Sequence, residues 1–188
     1  SSLPAPVQVK NPASPFLFYV GSAYPHKRLD LLLEAWRTVS TRYPELSLVI
    51  GGERDVFMKR IHEQSMVMTL PRITFAGRLS DQGLADHFAQ ATAFVFPTSF
   101  EGFGLPPCEA LSFGTPVICS DIEVLREVLP SEGVFFFENG SSDGMIGAIE
   151  TVLVQGQEAR TQALLGGEAV RLRHRWSAVA SAMVDTLK

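Results

Sequence analysis

Short, wholly apolar runs alternate along the chain with longer stretches whose apolar residues recur at helical spacing. Phe16 to Val20 opens the pattern and ends at Gly21, and Leu29, Leu32, Leu33, Trp36 and Val39 then mark one face of a helix. Leu46 to Ile50 is a second run, closed by Gly51-Gly52, and a polar helical stretch covers about 54–67. Ile73 to Ala76 ends at Gly77, and residues 81–91 read as a helix with Asp81 as its N-cap. Ala93 to Phe96 ends at Pro97, a helix over 106–113 stops at Gly114, and Pro116 to Cys119 is a further strand. A helix over about 122–129 leads to a sixth strand, Val134 to Phe137, and the pattern from about 142 onward is helical. Residues 1–15 are rich in Pro and Ser and lack periodicity, so they read as a lead-in or linker to a domain spanning 16–188.

Strands that are apolar throughout belong to sheets covered on both faces, and their alternation with helices implies parallel pairing. Six of them predict an α/β, doubly wound, Rossmann-like domain. Ligands of such a domain bind beyond the carboxyl ends of the strands, where the strand order reverses. The loops after each strand are therefore where chemistry is expected.

Composition narrows the classes. The chain has 188 residues, 46% of them apolar and 19% charged, which suits one folded domain and argues against disorder. A net charge of −4 gives no general attraction for nucleic acid or anionic membrane, so any bound anion needs a local site. No apolar run reaches the roughly 18 residues of a membrane span, and no signal-peptide pattern opens the chain. Cys108 and Cys119 read as reduced core residues of a cytoplasmic protein, and His26, His62, His87 and His174 share no metal-ligand spacing.

Four loops hold the candidate chemistry. The first, Gly21 to Arg28, reads GSAYPHKR and sets His26, Lys27 and Arg28 ahead of a helix. Cations there oppose the helix dipole unless an anion sits among them; solvated side chains are the plain alternative. The second, Gly51-Gly52-Glu53, and the third, Phe75-Ala76-Gly77-Arg78, allow close approach of backbone to a ligand or serve only as turns; at Gly77 a flat ring could lie on main chain. The fourth, residues 97–111, reads PTSFEGFGLPPCEAL and is the most informative. It sets Glu101 in the loop and Glu109 in the first turn of the next helix, with Gly102 and Gly104 flanking Phe103. Carboxylates accept hydrogen bonds from the vicinal hydroxyls of a sugar, whereas helix-dipole placement and loop capping are the alternatives for Glu109 and Glu101.

The segment FPTSFEGFGLPPCEALSFGTPVICSDIEVLREVL closely resembles the donor-site signature of family 4 retaining glycosyltransferases of the GT-B fold, the group 1 glycosyl transferases. Glu101 and Glu109 match that family's Glu-x7-Glu pair. FLFYVGSAYPHKRLDLLLEAW resembles its first strand, phosphate loop and helix; ITFAGRLSDQGLADHFAQATAFVFPTS resembles the base-pocket segment; RHRWSAVASAM resembles the closing helix. The likeness covers about residues 15–188. It implies that Lys27 binds the donor pyrophosphate, Glu109 the ribose, and Glu101 the transferred sugar. The backbone of Gly102, Phe103, Gly104 and Leu105 would touch sugar and phosphates, with Gly21 and Gly77 in the flanking loops. Ser22 stands where many members carry a phosphate-binding arginine, and Arg28 is expected to take over that role.

The resemblance further implies a half-enzyme: the donor-binding C-terminal domain, with the acceptor-binding domain absent from the sequence. The whole would transfer a hexose from a GDP-, UDP- or ADP-sugar to a saccharide or lipid-linked acceptor, with retention, without a metal or other cofactor. YPHKR leans toward mannosyltransferases that use GDP-mannose. A nucleotide-sugar-binding module without turnover, and a GT-B nucleotide-sugar epimerase, are the alternatives. No nucleic-acid partner is expected, and membrane-surface association of the parent stays open.

Overall fold

The computed structural model describes residues 14–173. Most of the expected lead-in, and the closing segment RHRWSAVASAM beyond Arg173, lie outside the described residues. All six expected strands form, within two residues of their expected ends: β1 (Phe16–Val20), β2 (Ser47–Gly51), β3 (Ile73–Gly77), β4 (Ala93–Phe96), β5 (Val117–Asp121) and β6 (Val134–Glu138). The helices are α1 (Leu29–Arg42), α2 (Val56–Val67), α3 (Asp81–Gln90), α4 (Leu105–Ser112), α5 (Glu123–Val128), α6 (Ser142–Gln155) and α7 (Gln157–Arg173).

The sheet is wholly parallel, in the order β3-β2-β1-β4-β5-β6. Strand order runs outward in one direction from β1 and in the other from β4, so right-handed crossovers put α1 and α2 on one face and α4 and α5 on the other. α6 returns to pack on α1, while α7 packs on α4. Residues 17–19 of β1, the whole of β4 and most of β5 are buried, because central strands are covered on both faces; edge strands β3 and β6 are only half-buried.

Local chemistry explains the helix ends. Asp55 caps α2 by accepting from the Met58 amide (2.8 Å), and Ser141 caps α6 by accepting from Gly144 (2.9 Å). For α3 the cap is Ser80, which accepts from Gly83 (3.1 Å), and not Asp81 as expected; Asp81 is already the first helical residue. Helix α4 begins one residue earlier than expected, since Gly104 takes a left-handed conformation (φ 91°) directly before Leu105. Glu109 is therefore the fifth helical residue, beyond the first turn, and the helix-dipole account of it falls away. At the other end of the core, a Cβ on Gly167 would lie 2.0 Å from the Leu111 carbonyl oxygen, so this glycine of α7 permits its close seat on α4, while Gly166 sits as closely on the Glu132 carbonyl of the loop before β6. Cys108 and Cys119 are free and buried, as expected of core residues.

Candidate functional site

The strand order reverses between β1 and β4, and the loops that follow these two strands are joined there. The turn Pro25–Lys27 is a single 3-10 turn, and Arg28 (φ 52°) caps the start of α1 in a left-handed conformation. The carbonyl of His26 accepts from the Ser99 amide (2.7 Å), the Thr98 hydroxyl (3.1 Å) and the Ser99 hydroxyl (3.2 Å). Thr98 is fully buried, and its hydroxyl is also 2.9 Å from the Phe100 carbonyl. One carbonyl thus fixes the loop after β4 against the loop after β1.

This anchoring brings together side chains 74 positions apart. Lys27 Nζ lies 2.5 Å from Glu101 Oε1, with the two side chains only 16% and 12% exposed. The same ammonium stands 5.3 Å from the centre of the Phe96 ring, at the end of β4. Beneath it, Tyr19 of β1 donates its hydroxyl proton to the Ser22 carbonyl (2.6 Å). Burial, and secondarily the charge of Glu101, push that phenol well above its ordinary pKa.

Glu109 stands differently. Its carboxylate is half-buried, has no hydrogen-bond or ion-pair partner among the described residues, and is shifted upward by burial. Phe103 and Leu105 are exposed, Gly104 is buried, and Gly102 faces open space. Arg28 turns to Asp30 (3.3 Å), with Gly140 of the loop after β6 also beside its guanidinium.

On the other side of β1, the loops are built from glycine. The Gly21 amide donates to the Gly51 carbonyl (3.1 Å) and the Gly52 amide to the Gly77 carbonyl (2.9 Å). A Cβ on Gly52 (φ 153°) would lie 2.2 Å from the Gly21 oxygen, so only glycine fits. Arg54 lies over Gly77, its Nε 3.4 Å from where a Cβ would stand, which is a flat group on main chain supplied by the protein itself. These loops enclose a cavity of about 300 Å³, lined by Gly21, Tyr24, Gly52, Glu53, Arg78 and Leu79 among others. A larger hollow of about 510 Å³ lies between α2 and edge strand β3 and is lined by neither Lys27, Glu101 nor Glu109.

Sequence reasoning had not singled out Tyr19, Tyr24 or Thr98. A polar-tipped residue inside an apolar run, and a threonine at a strand's carboxyl end, were the available signals. Among the described residues, no group of three His, Cys, Asp or Glu could hold a metal ion, and no helix is long and apolar enough to cross a membrane.

Comparisons with known proteins bear on this arrangement. The family model described as "Glycosyl transferases group 1" matches residues 5–164. The chain is similar to O-antigen chain mannosyltransferase B of Escherichia coli, 35% identical over 124 residues that make up 63% of this chain and 32% of that protein. It is similar to the phosphatidyl-myo-inositol mannosyltransferase of Mycobacterium leprae, 31% identical over 159 residues, 84% of this chain and 41% of that one. Its fold resembles the sucrose-phosphate synthase of Thermosynechococcus elongatus, with a TM-score of 0.80 at 28% identity, covering 93% of this chain and 45% of that one. The chain therefore spans about a third to two fifths of the length of these curated relatives.

Proposed function

The chain belongs to the group 1 glycosyl transferases, of GT-B architecture, and from that premise we propose that it is the donor-binding half of a retaining hexosyltransferase that uses a nucleoside-diphosphate sugar. The observation that carries this reading is the meeting of Lys27 and Glu101 at the switch point, where a parallel sheet of this topology receives its ligands. Lys27 and the amides of the loop after β1 take the pyrophosphate; Glu109, unpaired among the described residues, takes the ribose hydroxyls; Glu101 takes the hexose. Gly102 to Leu105 offer backbone amides to the sugar and phosphates, and Arg28 is the second cation near the phosphate end. The cavity between Gly21, Gly52 and Arg78 has the place and the glycine walls to receive the base end of the nucleotide.

Bond cleavage at the anomeric carbon leaves a nucleoside diphosphate, so negative charge grows on phosphate oxygen. A nearby ammonium in a poorly hydrated cleft stabilises that charge, and the two glutamates orient the donor. The transferred group is mannose, a proposal supported by the printed activities of the curated relatives. GDP-mannose is then the donor. The acceptor is a saccharide or lipid-linked saccharide, held by a second domain outside this sequence, and the enzyme works on the cytoplasmic side. Because the chain covers a minor part of its relatives' length, it binds donor without turnover by itself.

Calorimetry of the chain with GDP, UDP and ADP tests the assignment. One diphosphate is expected to bind, and Lys27→Ala and Glu109→Ala each to weaken it about 10- to 100-fold, the loss of a charge-assisted contact. Unchanged affinity in both variants would place the nucleotide elsewhere.

A further inference from the structure

Lys27 and Glu101 are more than two separate contacts. Their loops are joined by hydrogen bonds from the Ser99 amide and the Thr98 and Ser99 hydroxyls onto the His26 carbonyl, so the pair is held from outside and does not depend on two long side chains meeting by chance. Both side chains are mostly buried and one wall is the Phe96 ring, so solvent screens their charges poorly. An anion that comes to Lys27 must therefore come beside the carboxylate already 2.5 Å from the same ammonium.

We propose that the Lys27–Glu101 pair is a counter-charge filter that selects the sugar-bearing nucleotide over the bare nucleoside diphosphate. The inference rests on the donor-site reading above and deepens it. A bare diphosphate competes for Lys27, repels Glu101, and offers that carboxylate nothing in exchange. A buried charge that loses its partner is costly. A hexose attached to the diphosphate carries hydroxyls that donate to Glu101 while the phosphate takes Lys27, so both charges keep partners. The filter thus lowers affinity for the product of transfer relative to the donor, which favours product release and limits product inhibition.

The sign of one measurement separates this from a simple contact role. The 188-residue chain, its Glu101→Gln and Glu101→Ser variants, and Glu109→Gln are titrated with GDP, UDP and ADP and with the matching sugar nucleotides. Melting curves verify that each variant is folded, and the two replacements at position 101 guard against failure of one. Both neutral replacements at 101 are expected to bind the preferred diphosphate about tenfold more tightly than the unaltered chain, through relief of repulsion. Their sugar nucleotide binds no tighter, so the preference for the sugar-bearing form collapses, whereas Glu109→Gln weakens both ligands. Diphosphate affinity that is equal or weaker in both position-101 variants overturns the filter and leaves the donor site standing. Absence of diphosphate binding in the unaltered chain and in every variant overturns the donor-site reading and the filter with it. Binding that appears only when Glu101 is neutral supports the filter.

Discussion

The loops on the two sides of the switch point are held by different forces. Those after β1, β2 and β3 are joined backbone to backbone, Gly21 to Gly51 and Gly52 to Gly77, so closely that no side chain fits at position 52. The loop after β4 is joined to the loop after β1 at one carbonyl, by the Ser99 amide and the Thr98 and Ser99 hydroxyls, with the Glu101–Lys27 ion pair lying across the joint, and a Cβ added at Gly102 would meet nothing within 4 Å. Main-chain joints fix a shape and are indifferent to charge. A loop that carries a mostly buried ion pair responds to any charge brought near it. The first side is thus suited to setting the outline of a pocket, and the second to sensing what enters it.

The largest test of this contrast is at the glycines. Gly52→Ala forces a Cβ onto the Gly21 oxygen at a strained φ, and a loss of about 2–5 kcal/mol in stability is expected by chemical denaturation. Gly102→Ala should change stability by less than about 0.5 kcal/mol. Similar costs at the two positions would erase the distinction. A smaller effect is expected at Thr98, whose buried hydroxyl joins the two loops. Thr98→Val should cost about 1–2 kcal/mol and lower nucleotide affinity by loosening the seat of Glu101 against Lys27. Full affinity in a destabilised Thr98→Val would show that the loop does not depend on that anchor.

The smallest effect sharpens the difference between the two glutamates. Burial raises the pKa of Glu109, so the folded state disfavours its charge. Below the ordinary carboxylate range the group is neutral in folded and unfolded chains, and no penalty exists. As pH rises through the interval between the ordinary and raised values, the unfolded chain ionises first and stability falls; above it the loss is complete and constant. Glu109→Gln removes this penalty. Its melting temperature should exceed that of the unaltered chain slightly at neutral pH and match it in acid, while nucleotide binding weakens. A gain that grows toward acid pH would contradict the assignment.

Much of this was legible in the chain. All six strands follow from apolar runs, the first four of which end at glycine or proline, and so do the loops that carry Lys27, Glu101 and Glu109. The misread details share one cause. Ser80 and Asp81 are adjacent residues that both cap helices well, and only the hydroxyl that accepts from Gly83 decides between them. Likewise Glu109 moved out of the first turn because Gly104, in a left-handed conformation, starts α4 at Leu105. Residues such as Tyr19 and Thr98 were passed over because a strand pattern gives their burial but not the carbonyl each one meets.

The sequence by itself determined the alternation of strand and helix, the parallel sheet and the candidate donor loops, because these rest on periodicity and on residues close in the chain. Tertiary structure alone decided that Lys27 and Glu101 meet while Glu109 has no partner among the described residues, and that Gly52 and Gly167 must be glycine. Those outcomes depend on distances between segments far apart in the chain, and such distances exist only once the core has packed.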